Sequence, residues 1–381
     1  MTLAKKILAI GLMSGTSADG VDAALVSFGN RIQLIATDYF PYPSSLRADV
    51  LRASGPECDA DLVCRLNAKL GKIFGASAVR LARKNKVPLE DVEFVGSHGQ
   101  TIRHLPSHDK GGLSSTLQIG DGSEICRATG CIVVSDFRTA DIAAGGCGAP
   151  LAPFAHFSMF GHKKEDRVVH NLGGISNVTW LKGGGGLDSV TGFDTGPANM
   201  LLDFCAEKFF GKQYDKNGSE ALKGAVDKRL LAHCLAHLFL KKDPPKSAGR
   251  ESFGAGYFET LLKKFGTVKP LDFMRTLCAV TAETAVGQTL KHFRPRGKVR
   301  WILCGGGAYN RAIVAEIKAR LGSKGEVSLS GEFGFGEKSV EAVLMAILAF
   351  RTVQGLSGNL PKVTGAKNYA VLGKISLPGP D

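Results

Sequence analysis

Three short segments of this chain could bind phosphate through their backbone. They are residues 13–20 (Met-Ser-Gly-Thr-Ser-Ala-Asp-Gly), 173–177 (Gly-Gly-Ile-Ser-Asn) and 305–310 (Gly-Gly-Gly-Ala-Tyr-Asn). Because these segments are rich in small residues, consecutive backbone N–H groups can point at the same phosphate oxygens. Any one of them alone is more typical of an ordinary turn. Three in one chain favour a phosphate-binding site, where Asp19 or Asp22 could support Mg²⁺ directly or through water.

One acidic residue, Asp194, stands alone in the segment 193–197 (Phe-Asp-Thr-Gly-Pro). A carboxylate at the end of a strand can act as a general base. It can equally cap a helix, since Pro197 is typical of a first helical turn. The residue types alone leave both interpretations open.

The elements that must position these segments show a repeated pattern. Apolar strands at 6–12 and 21–28 flank the first segment, and strands at 167–172 and 178–182 flank the second. The third segment lies between a strand at 299–303 and a helix at 311–321. Two strand–turn–strand patterns far apart in the chain indicate two similar halves built of α/β layers.

Further elements follow from the apolar periodicity. Helices are expected at 60–85, 271–293 and 339–354. Short strands are expected at 92–96, at 117–119, around Ile125 and at 132–134. Residues 97–101 are expected to form a loop, and residues 135–153 an irregular, glycine-rich passage.

The composition narrows the class of protein. A chain of 381 residues exceeds the size of one hydrophobic core, which favours two domains. The net charge of +13 would suit an anionic partner, but the lysines and arginines are dispersed, which argues against nucleic acid. The nine cysteines lack zinc-like spacing and indicate reduced thiols in a cytoplasmic protein without a structural metal. Since no apolar stretch approaches the roughly 20 residues that span a bilayer, no membrane association is expected.

Seven motifs run in order through nearly the whole chain. They are Gly-Leu-Met-Ser-Gly-Thr-Ser-Ala-Asp-Gly-Val-Asp at 11–22, Gly-Ser-His-Gly-Gln-Thr-Ile-Arg-His at 96–104, Leu-Gln-Ile-Gly-Asp-Gly at 117–122, Ser-Asp-Phe-Arg at 135–138, Asn-Leu-Gly-Gly-Ile-Ser-Asn at 171–177, Gly-Phe-Asp-Thr-Gly-Pro-Ala-Asn at 192–199 and Asn-Leu-Pro-x-Val-Thr-Gly-Ala at 359–366. Together they resemble the signature of the anhydro-N-acetylmuramic acid kinases.

The resemblance implies an α/β fold of the actin/hexokinase/Hsp70 superfamily, in which two ribonuclease-H-like domains flank an ATP cleft. The domains would comprise residues 1–137, completed by part of the C-terminal tail, and residues 138–381. The resemblance further implies conversion of 1,6-anhydro-N-acetylmuramic acid, with water, ATP and Mg²⁺, to N-acetylmuramic acid 6-phosphate and ADP. This reaction belongs to peptidoglycan recycling, and the enzyme would be a cytoplasmic homodimer.

The resemblance also assigns roles to individual residues. Asp194 would be the base that activates water at C1 of the sugar. The nucleotide and its phosphates would contact Ser14, Gly15, Thr16, Ser17, Ala18, Asp19, Gly20, Val21, Asp22, Gly173, Gly174, Ser176, Asn177, Gly305, Gly306, Gly307 and Asn310.

Four further residues would bind the sugar. Arg138 would pair with the lactyl carboxylate of muramic acid, Glu341 would contact the substrate, and His98 and Thr101 would border the site. The alternative for Arg138 is a structural salt bridge to Asp136 or Asp141. The alternative for Glu341 is a favourable acid in the first turn of a helix.

One departure from the family pattern affects specificity. Cys147 stands where relatives usually have glutamine, which leaves other anhydro sugars such as levoglucosan open as substrates. A non-enzymatic nucleotide-binding module of the actin or chaperone type is a rival, although Asp194 within a full sugar-kinase pattern argues against it. A cysteine nucleophile, Cys147 with His156, is a third possibility, but no activating context is evident in the sequence.

Overall fold

The computed structural model describes residues 6–56, 58–105, 113–244, 246–295 and 297–379. Two compact units make up this part of the chain. Unit 1 contains the described residues of Met1–Met159 and of Ser339–Asp381, and unit 2 contains those of Phe160–Lys338.

Both units contain strands and helices, which come mostly in runs of one type. In chain order they are β1 (Ile7–Ser14), β2 (Gly20–Phe28), β3 (Ile32–Pro41), α1 (Ser44–Ser54), α2 (Ala60–Lys84), β4 (Val92–Leu105), β5 (Ser115–Ile119), α3 (Gly122–Thr129), β6 (Ile132–Ser135), α4 (Thr139–Ala143), α5 (Ala152–Phe160), β7 (Arg167–Leu172), β8 (Ile175–Leu181), β9 (Thr191–Pro197), α6 (Asn199–Phe210), α7 (Lys228–Leu235), α8 (Leu238–Lys241), α9 (Arg250–Phe253), α10 (Ala255–Phe265), α11 (Pro270–Phe293), β10 (Val299–Cys304), α12 (Arg311–Leu321), β11 (Gly325–Leu329), α13 (Val340–Val353), α14 (Pro361–Thr364) and β12 (Lys374–Ser376).

The sheet of unit 1 has the strand order β12-β6-β4-β1-β2-β3, and β5 also pairs with β4. Strands β1, β2 and β3 form an antiparallel meander, whereas β4 runs parallel to β1, and β6 runs parallel to β4. The carboxyl ends of β1, β4 and β6 therefore meet at one edge of the sheet. Ligands of open α/β sheets bind at such an edge.

The sheet of unit 2 has the order β11-β10-β7-β8-β9. It repeats the arrangement of unit 1, since β7, β8 and β9 are antiparallel neighbours, while β10 runs parallel to β7, and β11 to β10. This order and direction of strands are those of the ribonuclease-H-like fold. The predicted fold class is confirmed. The strand–turn–strand pattern that occurs twice in the sequence corresponds to the hairpins β1–β2 and β7–β8.

Two glycines allow helix α13 to lie directly on the unit 1 sheet. A Cβ atom on Gly11 in β1 would lie 1.9 Å from the carbonyl oxygen of Ala342, and one on Gly96 in β4 would lie 2.2 Å from that of Met345. No side chain fits at either position. The backbone of α13 therefore crosses β1 and β4 in direct contact, which fixes where Glu341 lies in its first turn.

Three predicted elements are wrong in detail. The strand predicted at 92–96 continues to Leu105 as β4, because its second half pairs with β5, so the residues predicted as a loop at 97–101 are extended. Ile125 lies in helix α3, which begins where Asp121 accepts hydrogen bonds from the first backbone N–H groups. The passage 135–153 contains α4 and the start of α5.

The domain boundary also differs from the prediction, because residues 138–159 belong to unit 1. Asp141 gives the physical reason. Its fully buried carboxylate accepts hydrogen bonds from Asn359 Nδ2 at 2.8 Å, Thr364 Oγ1 at 2.7 Å and the Gly148 N–H at 2.8 Å. These bonds fasten the segment after residue 137 to the C-terminal part of unit 1.

Candidate active site

Hydrogen bonds from side chains fix the loop between β1 and β2. Ser14, the last residue of β1, is buried. Its hydroxyl oxygen lies 2.7 Å from the Gly20 carbonyl oxygen and 2.8 Å from Gln100 Oε1. The same oxygen accepts a hydrogen bond from the Tyr42 hydroxyl. Gln100 Nε2 in turn donates to the Gly15 carbonyl oxygen at 3.1 Å. The conformation of the loop is therefore fixed before any ligand binds.

The tip of this loop faces solvent. Thr16, Ser17 and Asp19 are exposed, and Ala18 is buried with a positive φ of 52° while its N–H donates to the Gly15 carbonyl oxygen. A left-handed residue in a short loop turns successive backbone N–H groups toward a common point. The other predicted contacts, Gly20, Val21 and Asp22, are the first residues of β2.

Two carboxylates accompany the loop. Asp19 accepts a hydrogen bond from the Ser17 hydroxyl at 2.9 Å, and Asp22 is paired across the sheet with Met13 and with Tyr39. Burial and these two negative charges raise the pKa of Tyr39 to about 12. Asp19 is exposed and Asp22 is half-buried. Carboxylates are the kind of ligand that Mg²⁺ takes, usually one or two together with substrate phosphates. Among the described residues there is no cluster of three or more potential metal ligands.

His98 orients Arg138. His98 is buried in β4; its Nδ1 lies 2.9 Å from the Gly99 carbonyl oxygen, and its Nε2 accepts a hydrogen bond from Arg138 Nε at 3.0 Å. Arg138 Nη1 donates to the Gly148 carbonyl oxygen at 2.8 Å. Burial, followed by the charge of Arg138, lowers the pKa of His98 to about 3, so the ring is neutral and can accept this bond.

Arg138 remains a cation in this setting. Burial lowers its pKa to about 10, and the carboxylates of Glu341 and Asp141 oppose that shift. The Asp136 partner proposed as an alternative instead forms an ion pair with Lys374 at 2.5 Å. The charged guanidinium of Arg138 therefore lies beside His98. Glu341, which is exposed in the first turn of α13, favours the charged form of Arg138.

A cavity of about 680 Å³ lies beside His98 in unit 1. Its lining is mixed: Val63, Leu117 and Ile119 provide apolar surface, and the polar side chains include those of Asn67, Gln118, Asp121 and Asp136. Thr101 lies three residues further along β4, where its hydroxyl accepts a hydrogen bond from Gln118 Nε2 at 3.3 Å. The volume and lining are typical of a small-molecule site.

In unit 2, the Gly173-Gly174 turn packs against the start of helix α6. The backbone N–H of Asn199 donates to the Gly173 carbonyl oxygen at 2.9 Å, and Asn199 Nδ2 donates to that of Leu172 at 2.9 Å. The turn is shorter than predicted, because β8 begins at Ile175.

Ser176 and Asn177, predicted in that turn, lie in strand β8. Ser176 is fully buried, and its hydroxyl accepts a hydrogen bond from Thr195 Oγ1 at 3.0 Å and lies 3.4 Å from His170 Nδ1. Asn177 is half-buried and is paired with Asp194 of β9. The strand pairing thus brings Asp194 next to the end of the predicted phosphate segment.

The third predicted segment follows β10 as a tight turn. Gly305 has a φ of +79°, and a Cβ there would lie 2.4 Å from Asn171 Oδ1, so only glycine fits. Gly306 and Gly307 continue in a 3₁₀ turn, Gly306–Tyr309, beside Asn199. Asn310 is buried and caps α12, since its Oδ1 accepts hydrogen bonds from the N–H groups of Ala312 and Ile313. Its side chain is thus used in starting a helix.

Asp194 lies within β9 and is not a helix cap. Helix α6 begins at Asn199 with Ala198 before it, so the capping interpretation is wrong, and Pro197 ends a strand. The Asp194 carboxylate is half-buried and accepts a hydrogen bond from the Ala248 N–H at 2.9 Å. Burial raises its pKa to about 6, and the Ala248 N–H and the Ser247 side chain oppose that shift. A carboxylate with a pKa close to the working pH is well matched to general base catalysis.

Sequence reasoning did not single out Gln100 or Ala248. Gln100 is within a recognised motif, and the sequence could have suggested it. Ala248 is 54 residues beyond the acid to which its N–H donates, in a segment with no recognised motif, and no local signal indicates it.

Comparison with known proteins places these features in a family. The family model described as anhydro-N-acetylmuramic acid kinase matches residues 7–378. The chain is 40% identical over 384 residues to the enzyme of that name from Caldanaerobacter subterraneus subsp. tengcongensis, covering 97% of each chain. It is 38% identical over 376 residues to the one from Bacillus cereus strain B4264, covering 97% of this chain and 96% of the relative.

Solved structures show more distant likeness. The activator of 2-hydroxyisocaproyl-CoA dehydratase from Clostridium difficile is 14% identical, with a TM-score of 0.45 and coverage of 92% of this chain and 96% of that one. In the part of the chain that the structure describes, no helix is long and apolar enough to cross a membrane. On the evidence of the family model and of relatives aligned over nearly their full length, the chain belongs to the anhydro-N-acetylmuramic acid kinase family.

Proposed function

We propose that this chain converts 1,6-anhydro-N-acetylmuramic acid, ATP and water to N-acetylmuramic acid 6-phosphate and ADP, as a step of peptidoglycan recycling. The observation that carries the proposal is Asp194, a half-buried carboxylate whose pKa is raised to about 6, in a chain that matches the family from residue 7 to 378.

In this reaction two bonds between heavy atoms break and two form, and one proton is transferred. Water attacks C1 of the sugar and its proton passes to the Asp194 carboxylate, while the C1–O6 bond of the anhydro bridge breaks. O6 bonds to the γ-phosphorus of ATP, and the bond from that phosphorus to the β-γ bridging oxygen breaks to release ADP. Asp194 then returns the proton to solvent. Because the base must be ionised, we expect the rate to fall as the pH drops through about 6.

Backbone turns would hold ATP. The exposed tip of the β1–β2 loop and the glycine turns at Gly173-Gly174 and Gly305–Gly307 offer N–H groups without bulky side chains in the way. Asp19 and Asp22 are the carboxylates that would support Mg²⁺, which would neutralise charge on the phosphates.

Arg138 would recognise the lactyl carboxylate of the sugar. Its guanidinium is fixed by His98 and Gly148, so a bound carboxylate would meet a preorganised donor. Glu341 would accept hydrogen bonds from sugar hydroxyls, and the cavity beside His98 has room for the sugar's substituents. We further propose that the enzyme works in the cytoplasm as a homodimer with reduced cysteines.

Sugar-dependent ADP release tests the function. With MgATP and 1,6-anhydro-N-acetylmuramic acid we expect turnover, and Asp194→Asn should lower kcat at least about 100-fold, because general base catalysis typically contributes that much or more. Nucleotide affinity should stay unchanged, and Asp61→Asn, at an exposed acid of α2, should behave as the parent enzyme.

Other outcomes would redirect the proposal. Turnover with levoglucosan in place of the muramic sugar would keep the kinase and change its substrate, with Cys147 as the position to examine. Nucleotide binding without turnover of any anhydro sugar would instead favour a nucleotide-binding module.

A further inference from the structure

Strand β9 contains a β-bulge directly after Asp194. Ser176 of β8 lies opposite Gly196, and the next residue of β8, Asn177, lies opposite Asp194. One step along β8 thus corresponds to two steps along β9, and Thr195 is the extra residue. Bulges are frequent beside active sites, where they change the direction of a side chain.

The bulge decides which face of the sheet carries Asp194. Residues directly opposite each other in an antiparallel pair have their side chains on the same face. Without the extra residue, Asp194 would lie opposite Val178, which is buried in the apolar core of unit 2. With the bulge, Phe193 takes that place in the core, and Asp194 lies opposite the half-buried Asn177. The extra residue therefore keeps the carboxylate out of the core, where a charge is costly.

The Thr195 hydroxyl ties the bulge to the neighbouring strand. Thr195 is fully buried, and its Oγ1 lies 3.0 Å from Ser176 Oγ and 3.2 Å from the Ser176 carbonyl oxygen, either of which can accept its proton. These contacts lie at the point where the register changes. Because a bulge disrupts the backbone ladder locally, a side-chain bond at this point helps to hold the two strands together.

Ser176 is itself fixed by a line of buried side chains. Its Oγ lies 3.4 Å from His170 Nδ1, and His170 Nε2 lies 3.0 Å from Thr289 Oγ1 of α11. Thr289 donates to the Ala285 carbonyl oxygen of the same helix at 2.7 Å. The His170 ring also stacks on Trp301 of β10, with the ring centres 5.2 Å apart. A satisfied buried network of this kind is rigid, so the partner of the bulge is held by β7, β10 and α11 as well as by its own strand.

The chain is restrained on both sides of Thr195. Gly196 has a φ of +154°, and a Cβ there would lie 2.9 Å from Thr284 Oγ1 of α11, so glycine is needed where the bulge ends. On the other side, the Ala248 N–H donates to Asp194 Oδ2 at 2.9 Å. This bond depends on the direction of the carboxylate and therefore reports it without any substrate.

We propose that Thr195 is a positioning residue, whose hydroxyl bond to Ser176 pins the bulge of β9 and thereby sets the direction of the Asp194 carboxylate. The inference rests on the proposed role of Asp194 as the base. Thr195 acts only through the backbone that it shares with Asp194. Its loss should affect kcat more than the KM for either substrate, because the direction of the base matters for the reaction step and not for binding.

Thr195→Val tests the proposal, because valine has nearly the shape of threonine and lacks its hydroxyl. With the anhydro sugar, kcat should fall about tenfold or more, while the KM for ATP and the KM for the sugar stay within about twofold. Hydrogen exchange of the Ala248 backbone N–H, measured by NMR without substrate, should become about tenfold faster as its bond to the carboxylate weakens. Thr195→Ser, which keeps the hydroxyl, should restore both values.

Thr281→Val is the matched control. Thr281 is also buried in unit 2, but its hydroxyl donates to the Leu277 carbonyl oxygen within its own helix, α11. A general effect of losing a buried hydroxyl would appear in both valine variants, whereas the proposal requires it in Thr195→Val alone. Should Thr195→Val not fold, Thr195→Ala, with its smaller side chain, gives the same comparison with Thr195→Ser.

The two readouts separate failure of the inference from failure of the proposed function. In an enzyme that turns over the sugar, an unchanged kcat in Thr195→Val would overturn the inference, and so would equal losses in Thr281→Val or in Thr195→Ser. Faster Ala248 exchange in Thr195→Val that Thr195→Ser reverses would support the positioning of Asp194 even if no anhydro sugar is turned over, in which case only the proposed function fails.

Discussion

At the scale of single residues, the site depends on how a few side chains hold one another. Arg138 shows this most clearly, because His98 and Gly148 fix its guanidinium before any ligand arrives. Arg138→Lys should raise the KM for the sugar about tenfold or more while the KM for ATP stays constant, since a lysine keeps the charge but loses the planar donor geometry. Steady-state kinetics in both substrates measures this split. The matched control is Arg103→Lys, at an arginine of β4 that donates to the Gly55 carbonyl oxygen. If Arg138→Lys and the parent enzyme have equal KM values for the sugar, Arg138 does not bind the sugar.

The same scale shows what sequence patterns can and cannot reveal. Asp194 was recognisable because it is the lone acid of a small-residue segment, yet only the strand pairing of β9 with β8 excluded its role as a helix cap. Asn310 is predicted as a phosphate contact, and its buried side chain also caps α12; glycine turns and capping sites share residue types. Ala248 and Asp141 make their contacts over long sequence separations, which no local pattern encodes.

At the scale of elements, the packing of α13 on the unit 1 sheet determines where Glu341 lies and stabilises strand β1. Gly11→Ala should destabilise unit 1 by about 3 kcal/mol, because the new Cβ would overlap the Ala342 carbonyl oxygen and the helix must move away. Urea unfolding followed by far-UV circular dichroism measures the loss. The control is Gly29→Ala, directly after the end of β2, where a Cβ would lie 3.9 Å from the nearest atom, in the Lys6 side chain. If both variants unfold at the same urea concentration, the close packing of α13 on β1 is wrong.

Element lengths were harder to foresee than element types. Strand β4 was expected to stop at Gly96, because the Ser-His-Gly-Gln-Thr sequence that follows has the polar, glycine-containing character of a loop. Pairing with β5 keeps these residues extended, and tertiary pairing outweighs local propensity in such cases. The hairpin β1–β2 was predicted closely, since its turn lies between two mainly apolar runs.

At the scale of the whole molecule, two units with the same strand order differ in how the chain builds them. Unit 2 is one continuous segment, and its sheet and core are complete within Phe160–Lys338. Unit 1 is discontinuous, because α13 lies on its sheet and β12 pairs with β6 only after the chain has passed through unit 2. The repeat in the sequence predicted two halves. The return of the tail to unit 1 was expected only from the family resemblance, since no local pattern in the tail encodes its contacts.

Folding of the separate pieces should follow this difference. Residues 160–338 alone should fold cooperatively. Residues 1–159 alone should not, because they lack α13, which covers β1 and β4, and β12, which pairs with β6. Both tryptophans, Trp180 and the buried Trp301, are in unit 2, so their fluorescence reports that unit, and far-UV circular dichroism reports the other piece. Adding residues 339–381 as a separate chain should restore a cooperative transition to residues 1–159. A folded 1–159 without that addition would contradict the role of α13, and an unfolded 160–338 would mean that unit 2 depends on the rest of the chain for its stability.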